Sequence, residues 1–142
     1  MAKIKQEMHR DWILEEMMKV AMEDERADAE KYRHLGKNAK RENDSRLLLV
    51  MAEEERRHLR ALQYLFHTFF DKDAPEPHRR SDPVGGFRET LGKSIVNEYS
   101  SVSFYRELLC RIPDDRLRMP IRRIMADEQK HAQILEGIME YK

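Results

Sequence analysis

The sequence predicts an all-α fold, a four-helix bundle made of two repeated helical hairpins joined by a long crossover linker. Three observations carry this. The 142-residue chain is rich in charge, with 38% Asp, Glu, Lys and Arg, and poor in helix breakers, with five glycines and five prolines; long amphipathic helices with solvated outer faces have this composition. Apolar residues recur at helical spacing over four long stretches, and none shows sustained period-two alternation. The second half repeats the first at a shift of 73 positions. That shift takes Glu25 to Glu98, Tyr32 to Tyr105, Glu55 to Glu128 and His58 to His131. Leu35 and Leu108, and Leu62 and Leu135, follow the same rule, the mark of a duplicated supersecondary unit.

The first helix is expected from about Asp11 to Lys37, with Leu14, Met17, Met18, Ala21, Met22, Tyr32 and Leu35 on its apolar side. The segment NAKREND, 38–44, ends it, and Asn43 or Asp44 is a plausible N-cap for the second helix, Ser45 to Phe70. DKDAPEPHRRSDPVGG, 71–86, with three prolines and a glycine pair, is a linker. The third helix is expected from Phe87 to Arg111, ending at Ile112-Pro113-Asp114-Asp115. The fourth is expected from Pro120, where proline costs nothing in a first turn, to Glu140, with 114–119 as a separate short turn. Residues 1–142 then form one domain, a length that supports a real core.

Bulk composition narrows the function. Lys plus Arg and Asp plus Glu are 27 each, so the chain lacks the basic excess of a dedicated nucleic-acid binder. One cysteine, Cys110, excludes an internal disulfide framework or a Cys-rich metal ribbon. Cys110 itself is expected to be a small buried residue. The first residues, MAKIKQEMHRDW, do not have the apolar core of a signal peptide, and no window reaches the roughly 20 apolar residues of a membrane span. A cytoplasmic protein without a membrane partner is the expectation.

An anomaly points to chemistry. In MAEEERRHLRALQYL, 51–65, Glu55 and His58 lie in the same stripe as Met51, Leu59 and Leu62. Glu25 interrupts the stripe of the first helix, Glu98 that of the third, and Glu128 with His131 that of the fourth, among Ile121, Ile124, Met125, Leu135 and Ile138. Hairpin geometry brings them to one height, because Glu25 and Glu55 lie symmetrically about the 38–44 break, and Glu98 and Glu128 about Pro113. Four buried carboxylates cannot all stay ionised without cations, and alone they should have raised pKa values. Two divalent cations balance the four charges, and two neutral imidazoles add a nitrogen to each. Glu-x-x-His puts both side chains on one helical face. A Glu from each of two helices with Glu-x-x-His from the other two is the ligand set of dinuclear carboxylate bundles. Glu25, Glu55, His58, Glu98, Glu128 and His131 are therefore the candidate metal ligands.

The stretches EDERADAEKY (23–32), MAEEERRH (51–58), NEYSSVSFY (97–105) and MADEQKH (125–131) resemble the ferritin-like di-iron carboxylate superfamily, rubrerythrin-type proteins above all. The resemblance spans all four helices but not the linker. It implies that Tyr32 and Tyr105 hydrogen-bond ligand carboxylates, and that Glu54 and Asp127 hold the ligand imidazoles, crosswise between helices. It departs from rubrerythrins at Ser101, where they commonly carry a further Glu, and in having no rubredoxin-like cysteine ribbon. It departs from bacterioferritins at Arg56, where a haem-binding Met would stand, so no haem is expected. It implies two iron ions per chain, with manganese or zinc as purified alternatives. The leading activity it implies is hydrogen peroxide reduction with electrons from an external donor, a rubredoxin or flavoprotein. The other readings are ferrous iron oxidation by oxygen or peroxide, and a non-catalytic metal-binding bundle acting through partners. His9, His34, His67 and His78 read as structural or surface residues, and RRSD, 79–82, as too small a basic cluster to carry function.

The linker bears on topology. Phe70 lies about 22 Å from the level of Glu55, and Phe87 about 17 Å from that of Glu98. Crossing the full bundle, roughly 40 Å, is within the roughly 50 Å reach of sixteen residues and leaves the linker nearly taut. A crossover makes the third helix parallel to the second. A taut linker could also pass to a second chain, so a homodimer, possibly domain-swapped, is expected.

Overall fold

The computed structural model describes residues 11–76 and 85–141. Among the described residues there are four helices: α1 (Trp12–Asn38), α2 (Glu42–Phe70), α3 (Phe87–Cys110) and α4 (Asp115–Glu140). No strand occurs among the described residues. The linker prolines Pro77 and Pro83, together with His9, His78 and the RRSD cluster, lie outside the described residues.

Each boundary has a local cause. Asp11 accepts from the Leu14 backbone N–H at 3.0 Å and caps α1. The predicted cap of α2 is corrected: the helix starts a turn early, at Glu42 after Arg41, with no side-chain cap. Asn43 and Asp44 lie inside the first turn instead, where the acidic Glu42 and Asp44 favour the positive end of the helix dipole. The Ser45 hydroxyl donates to the Gly36 carbonyl at 2.6 Å and ties the two helices together at the turn. A Cβ on Gly36 would meet Leu49 Cγ at 2.8 Å, so the close approach there needs glycine. At its other end α2 stops at Asp71, whose N–H still bonds the His67 carbonyl at 2.9 Å while its left-handed backbone (φ 54°) turns the following chain out of the helix.

The start of α4 is also corrected. Residues 115–119 belong to the helix rather than to a separate turn, and Pro120 lies inside it. Pro120 cannot donate to the carbonyl four residues back and crowds it. The helix carries this cost because Asp114 caps it, accepting from the Arg116 N–H at 2.9 Å, and because Ile112, Ile121 and Ile124 are buried on either side of the defect. Asp114→Ala is expected to cost about 1 kcal/mol, seen as a lower midpoint in urea unfolding at unchanged slope.

Cross-helix bonds define the topology. Tyr32 of α1 bonds Glu98 of α3, while Tyr105 of α3 bonds Glu25 of α1. The order is reversed, so α1 and α3 are antiparallel. His58 with Asp127 and His131 with Glu54 make α2 and α4 antiparallel in the same way. With each hairpin antiparallel, α3 runs parallel to α2, and the connection must return along the bundle. The first linker residues do so against α1: Lys72 pairs with Glu15 at 2.6 Å, and Glu76 with Arg26 at 3.8 Å. The partner on α1 advances eleven residues, about 16 Å, while the linker advances four, so this stretch climbs nearly extended.

The interior has two apolar cores with a polar layer between them. One packs Leu14, Met18, Leu65, Phe66, Phe69, Leu108 and Ile121. The other packs Leu35, Leu48, Met51, Leu91, Leu135 and Ile138. Met17 and Met125, expected in the core, are only partly buried against the first. Cys110 is exposed at the end of α3, contrary to the expectation of burial. No described helix is long and apolar enough to cross a membrane.

Candidate metal centre

The polar layer is built from all four helices. Glu25 projects from α1, Glu55 and His58 from α2, Glu98 from α3, and Glu128 and His131 from α4; none is more than 5% exposed. The structure brings all six predicted residues together. They form two overlapping groups, Glu25, Glu55, His58 and Glu128, and Glu55, Glu98, Glu128 and His131, each with one ligand atom per residue within 4.8 Å of the others. Glu55 and Glu128, one from each hairpin, belong to both groups.

The imidazoles are oriented from behind. His58 Nε2 lies 2.7 Å from Asp127 Oδ2, and its Nδ1 faces inward, 3.3 Å from Glu25, 3.6 Å from Glu55 and 3.2 Å from Glu128. His131 Nε2 lies 3.2 Å from Glu54 Oε2, and its Nδ1 faces Glu55 at 2.8 Å and Glu98 at 3.8 Å. In the neutral ring a carboxylate on Nε2 holds the proton there and leaves the Nδ1 lone pair turned to the centre. The carboxylates are held the same way, crosswise: the Tyr105 hydroxyl donates to Glu25 Oε1 at 2.6 Å, and the Tyr32 hydroxyl donates to Glu98. Burial and the facing carboxylate, Glu98 for Tyr32 and Glu25 for Tyr105, push both phenols well above their ordinary range. They remain protonated donors.

A divalent-metal fit is tested by what the centre leaves unpaired. Among the described residues, both oxygens of Glu55, both of Glu128, Glu98 Oε2 and His131 Nδ1 are buried without a hydrogen-bond partner. His131 Nδ1 and Glu55 Oε1 are close at 2.8 Å but not aligned as a hydrogen bond. An orphaned buried carboxylate oxygen costs more than 1 kcal/mol, and here five such oxygens and a nitrogen converge. This donor set fits two divalent cations of the iron, manganese or zinc kind.

The electrostatics show the same need. Burial and the nearby charge of Glu25 raise Glu55 well above the usual carboxylate range. Burial, Glu25 and Glu55 do the same to Glu128. The expectation that all four would rise is corrected for Glu25. Burial pushes it up, but hydrogen bonding to His58 and Tyr105 outweighs that and brings it below its ordinary value. Burial would lower His58, and Glu25 and Asp127 overcome it and raise it.

The sequence reading overlooked Asp28. It lies one turn beyond Glu25 on α1, and burial and the charges of Glu98 and Glu25, opposed by Lys31, hold its carboxyl at about 7. The repeat carries the signal: the 73-residue shift takes Asp28 to Ser101. The carboxylate expected on the third helix and missing there has its repeat counterpart on the first. His34 and His67 are exposed, as expected.

A crossover bundle with two Glu-x-x-His helices and two Glu helices converging on a buried layer has the fold and side-chain set of ferritin-like carboxylate proteins. The rubrerythrin family model matches residues 16–84, a stretch that contains Glu25, Glu55 and His58, and the chain is similar to that family there. The second-hairpin residues enter through the repeat and the geometry. Among solved structures, a hypothetical protein from Pyrococcus furiosus is similar at 22% identity and a TM-score of 0.80, over 89% of this chain and 88% of that one. That likeness concerns the fold. No curated protein matches the chain.

Proposed function

We propose that the protein is a di-iron oxidoreductase that reduces hydrogen peroxide with electrons from an external donor. The observation that carries this reading is the convergence of four buried carboxylates and two inward imidazole nitrogens, with the Glu55 and Glu128 oxygens unpaired. Glu25 and His58 would hold one iron, Glu98 and His131 the other, and Glu55 and Glu128 would serve both. Bound iron supplies one-electron redox chemistry at two adjacent sites. The overall reaction takes hydrogen peroxide, two protons and two electrons to two waters, the electrons coming from a one-electron carrier such as a rubredoxin or a flavoprotein.

The chain's own residues set the conditions for that reaction. Asp127 and Glu54 fix the imidazole planes through Nε2 and turn both Nδ1 atoms toward the centre, where the neutral rings would offer their lone pairs to a metal. Tyr32 and Tyr105 hold Glu98 and Glu25 through one oxygen each; the second oxygen of Glu98 is unpaired, and that of Glu25 lies against His58 Nδ1. The two apolar cores exclude bulk water above and below the layer, which strengthens every charge interaction inside it. A homodimer remains part of this proposal. Sedimentation of the metal-loaded protein at micromolar concentration tests it, and a strict monomer refutes it.

The chemistry is tested by anaerobic loading with two ferrous ions per chain, followed by rapid mixing with peroxide or with oxygen. Faster oxidation by peroxide is expected, with return to the ferrous state when a reduced donor is added. Faster oxidation by oxygen accompanied by mineral growth would replace the reading with ferrous iron oxidation and storage.

A further inference from the structure

Among the described residues the bundle leaves a cleft on one side of the centre. Between α1 and α3 lies a cleft of about 800 Å³ whose lining includes Glu25 and Tyr105 of the polar layer. Its two walls differ in charge. The α1 wall carries Asp24 and Asp28 where the repeat places neutral Asn97 and Ser101 on the α3 wall. Asp28 stands one helical turn from Glu25, its side chain only 17% exposed, with Lys31 Nζ 3.1 Å from Oδ1. Among the described residues it belongs to neither of the two converging ligand groups. It is thus a carboxylate beside the centre, in the open cleft, but outside the set that would hold the metals.

We propose that Asp28 is a transfer ligand for divalent cations: an ion descending the α1–α3 cleft displaces Lys31 from Asp28 and passes from there to Glu25 and the unpaired carboxylates beyond. The proposal rests on the reading of the four-carboxylate centre as a metal site. Three features favour it. The route ends on buried oxygens without partners, those of Glu98, Glu55 and Glu128. Lys31 is the displaceable partner, because its ion pair with Asp28 joins residues three apart on one helix and its long side chain can swing away to solvent. Burial together with Glu98 and Glu25 holds the Asp28 carboxyl at about 7 despite Lys31, so the inner cleft has a net negative field that a cation would relieve. A charged funnel of this kind raises association rates by roughly 10 to 1,000-fold.

The test follows cobalt(II) association with the metal-free full chain by stopped-flow visible absorbance. The wild type should take up two cobalt ions. Asp28→Asn should still take up two at equilibrium but associate at least about tenfold more slowly. Lys31→Met should associate faster than the wild type. Adding Ser101→Asp to the Asp28→Asn chain should restore much of the rate from the opposite wall, which a purely structural role for Asp28 would not permit. An Asp28→Asn rate within about twofold of the wild type, or loss of cobalt at equilibrium in that variant, would overturn the transfer role. A wild-type chain that takes up no cobalt would instead overturn the metal-site reading itself.

Discussion

Glu55→Gln is expected to move stability in opposite directions in the two states of the protein. In the metal-free chain at neutral pH it should raise the melting temperature. Glu55 is fully buried, neither oxygen has a partner, and burial and the Glu25 charge oppose its ionisation. Glutamine keeps the shape and removes the charge, so the desolvation and repulsion terms disappear. With metal present the sign reverses. Glu55 belongs to both ligand groups, so its loss weakens both sites at once. A metal at about 1,000 times its dissociation constant stabilises the folded chain by about 4 kcal/mol, which for a domain of this size corresponds to roughly 12–16 °C. Wild type should show that shift on adding metal, and Glu55→Gln only a small part of it. Calorimetry of both chains with chelator and with zinc or ferrous iron measures all four values. Equal metal-induced shifts in the two chains would remove Glu55 from the ligand set. Glu128→Gln, its repeat counterpart, should behave alike.

The metal-free protein should lose stability as the pH rises from about 4.5 to beyond 7, and the metal-loaded protein should not. The sign follows from the direction of each shift. Glu55 and Glu128 are raised in the folded state, so the stability they contribute is complete below their unfolded value and is lost as pH rises through the folded one. Asp28, raised from 3.8 to about 7, loses its contribution over that interval. His58 is also raised, and its contribution, complete below 6.5, is lost at higher pH. Within the centre Glu25 runs the other way: it is lowered, as Glu15 and Asp114 are outside it, so these contributions hold above their unfolded values and are lost as pH falls through the folded ones. Over the interval from about 4.5 to beyond 7 the raised groups are the ones that change, which gives a net decline toward neutral and alkaline pH. Metal reverses the sign for the carboxylates, because only the ionised form binds and protons are released on binding. Melting curves in chelator and in excess metal, collected across this range, should diverge with rising pH. Curves that run parallel would mean that the centre does not hold the metal through these carboxylates.

Much of this molecule is a one-dimensional matter, and there the sequence sufficed. A helix has a constant period and rise, so the stripes interrupted by Glu25, Glu55, Glu98 and Glu128 could be recognised by counting. The 73-residue repeat then related the two hairpins, and symmetry about each turn brought the acids to one height. Glu-x-x-His on two helices identified His58 and His131 for the same reason: three residues along a helix is one turn. That Tyr32 and Tyr105 bond ligand carboxylates, and that Glu54 and Asp127 hold the imidazoles crosswise, came from the family resemblance rather than from counting; the structure supplies the partners, Glu98 for Tyr32, Glu25 for Tyr105, His131 for Glu54 and His58 for Asp127.

Other features depend on what three neighbouring helices bring to a point, and only the tertiary structure decided them. Glu25 and Glu55 are both buried glutamates in the same layer, yet one is lowered and the other raised. Glu25 accepts from Tyr105 and lies against His58, while both Glu55 oxygens face other acids and an imidazole nitrogen without a hydrogen bond. On a helix this rich in charge nothing local distinguishes Asp28, and the α1–α3 cleft places it beside the centre. The early starts of α2 and α4 follow from context as well. Pro120 argues for a helix start in isolation, and the Asp114 cap and the burial of Ile112 and Ile121 outweigh it. Period and spacing belong to a single helix and are written in its residues. Charge balance, caps and access are sums over neighbours distant in the chain, and they exist only once the bundle has formed.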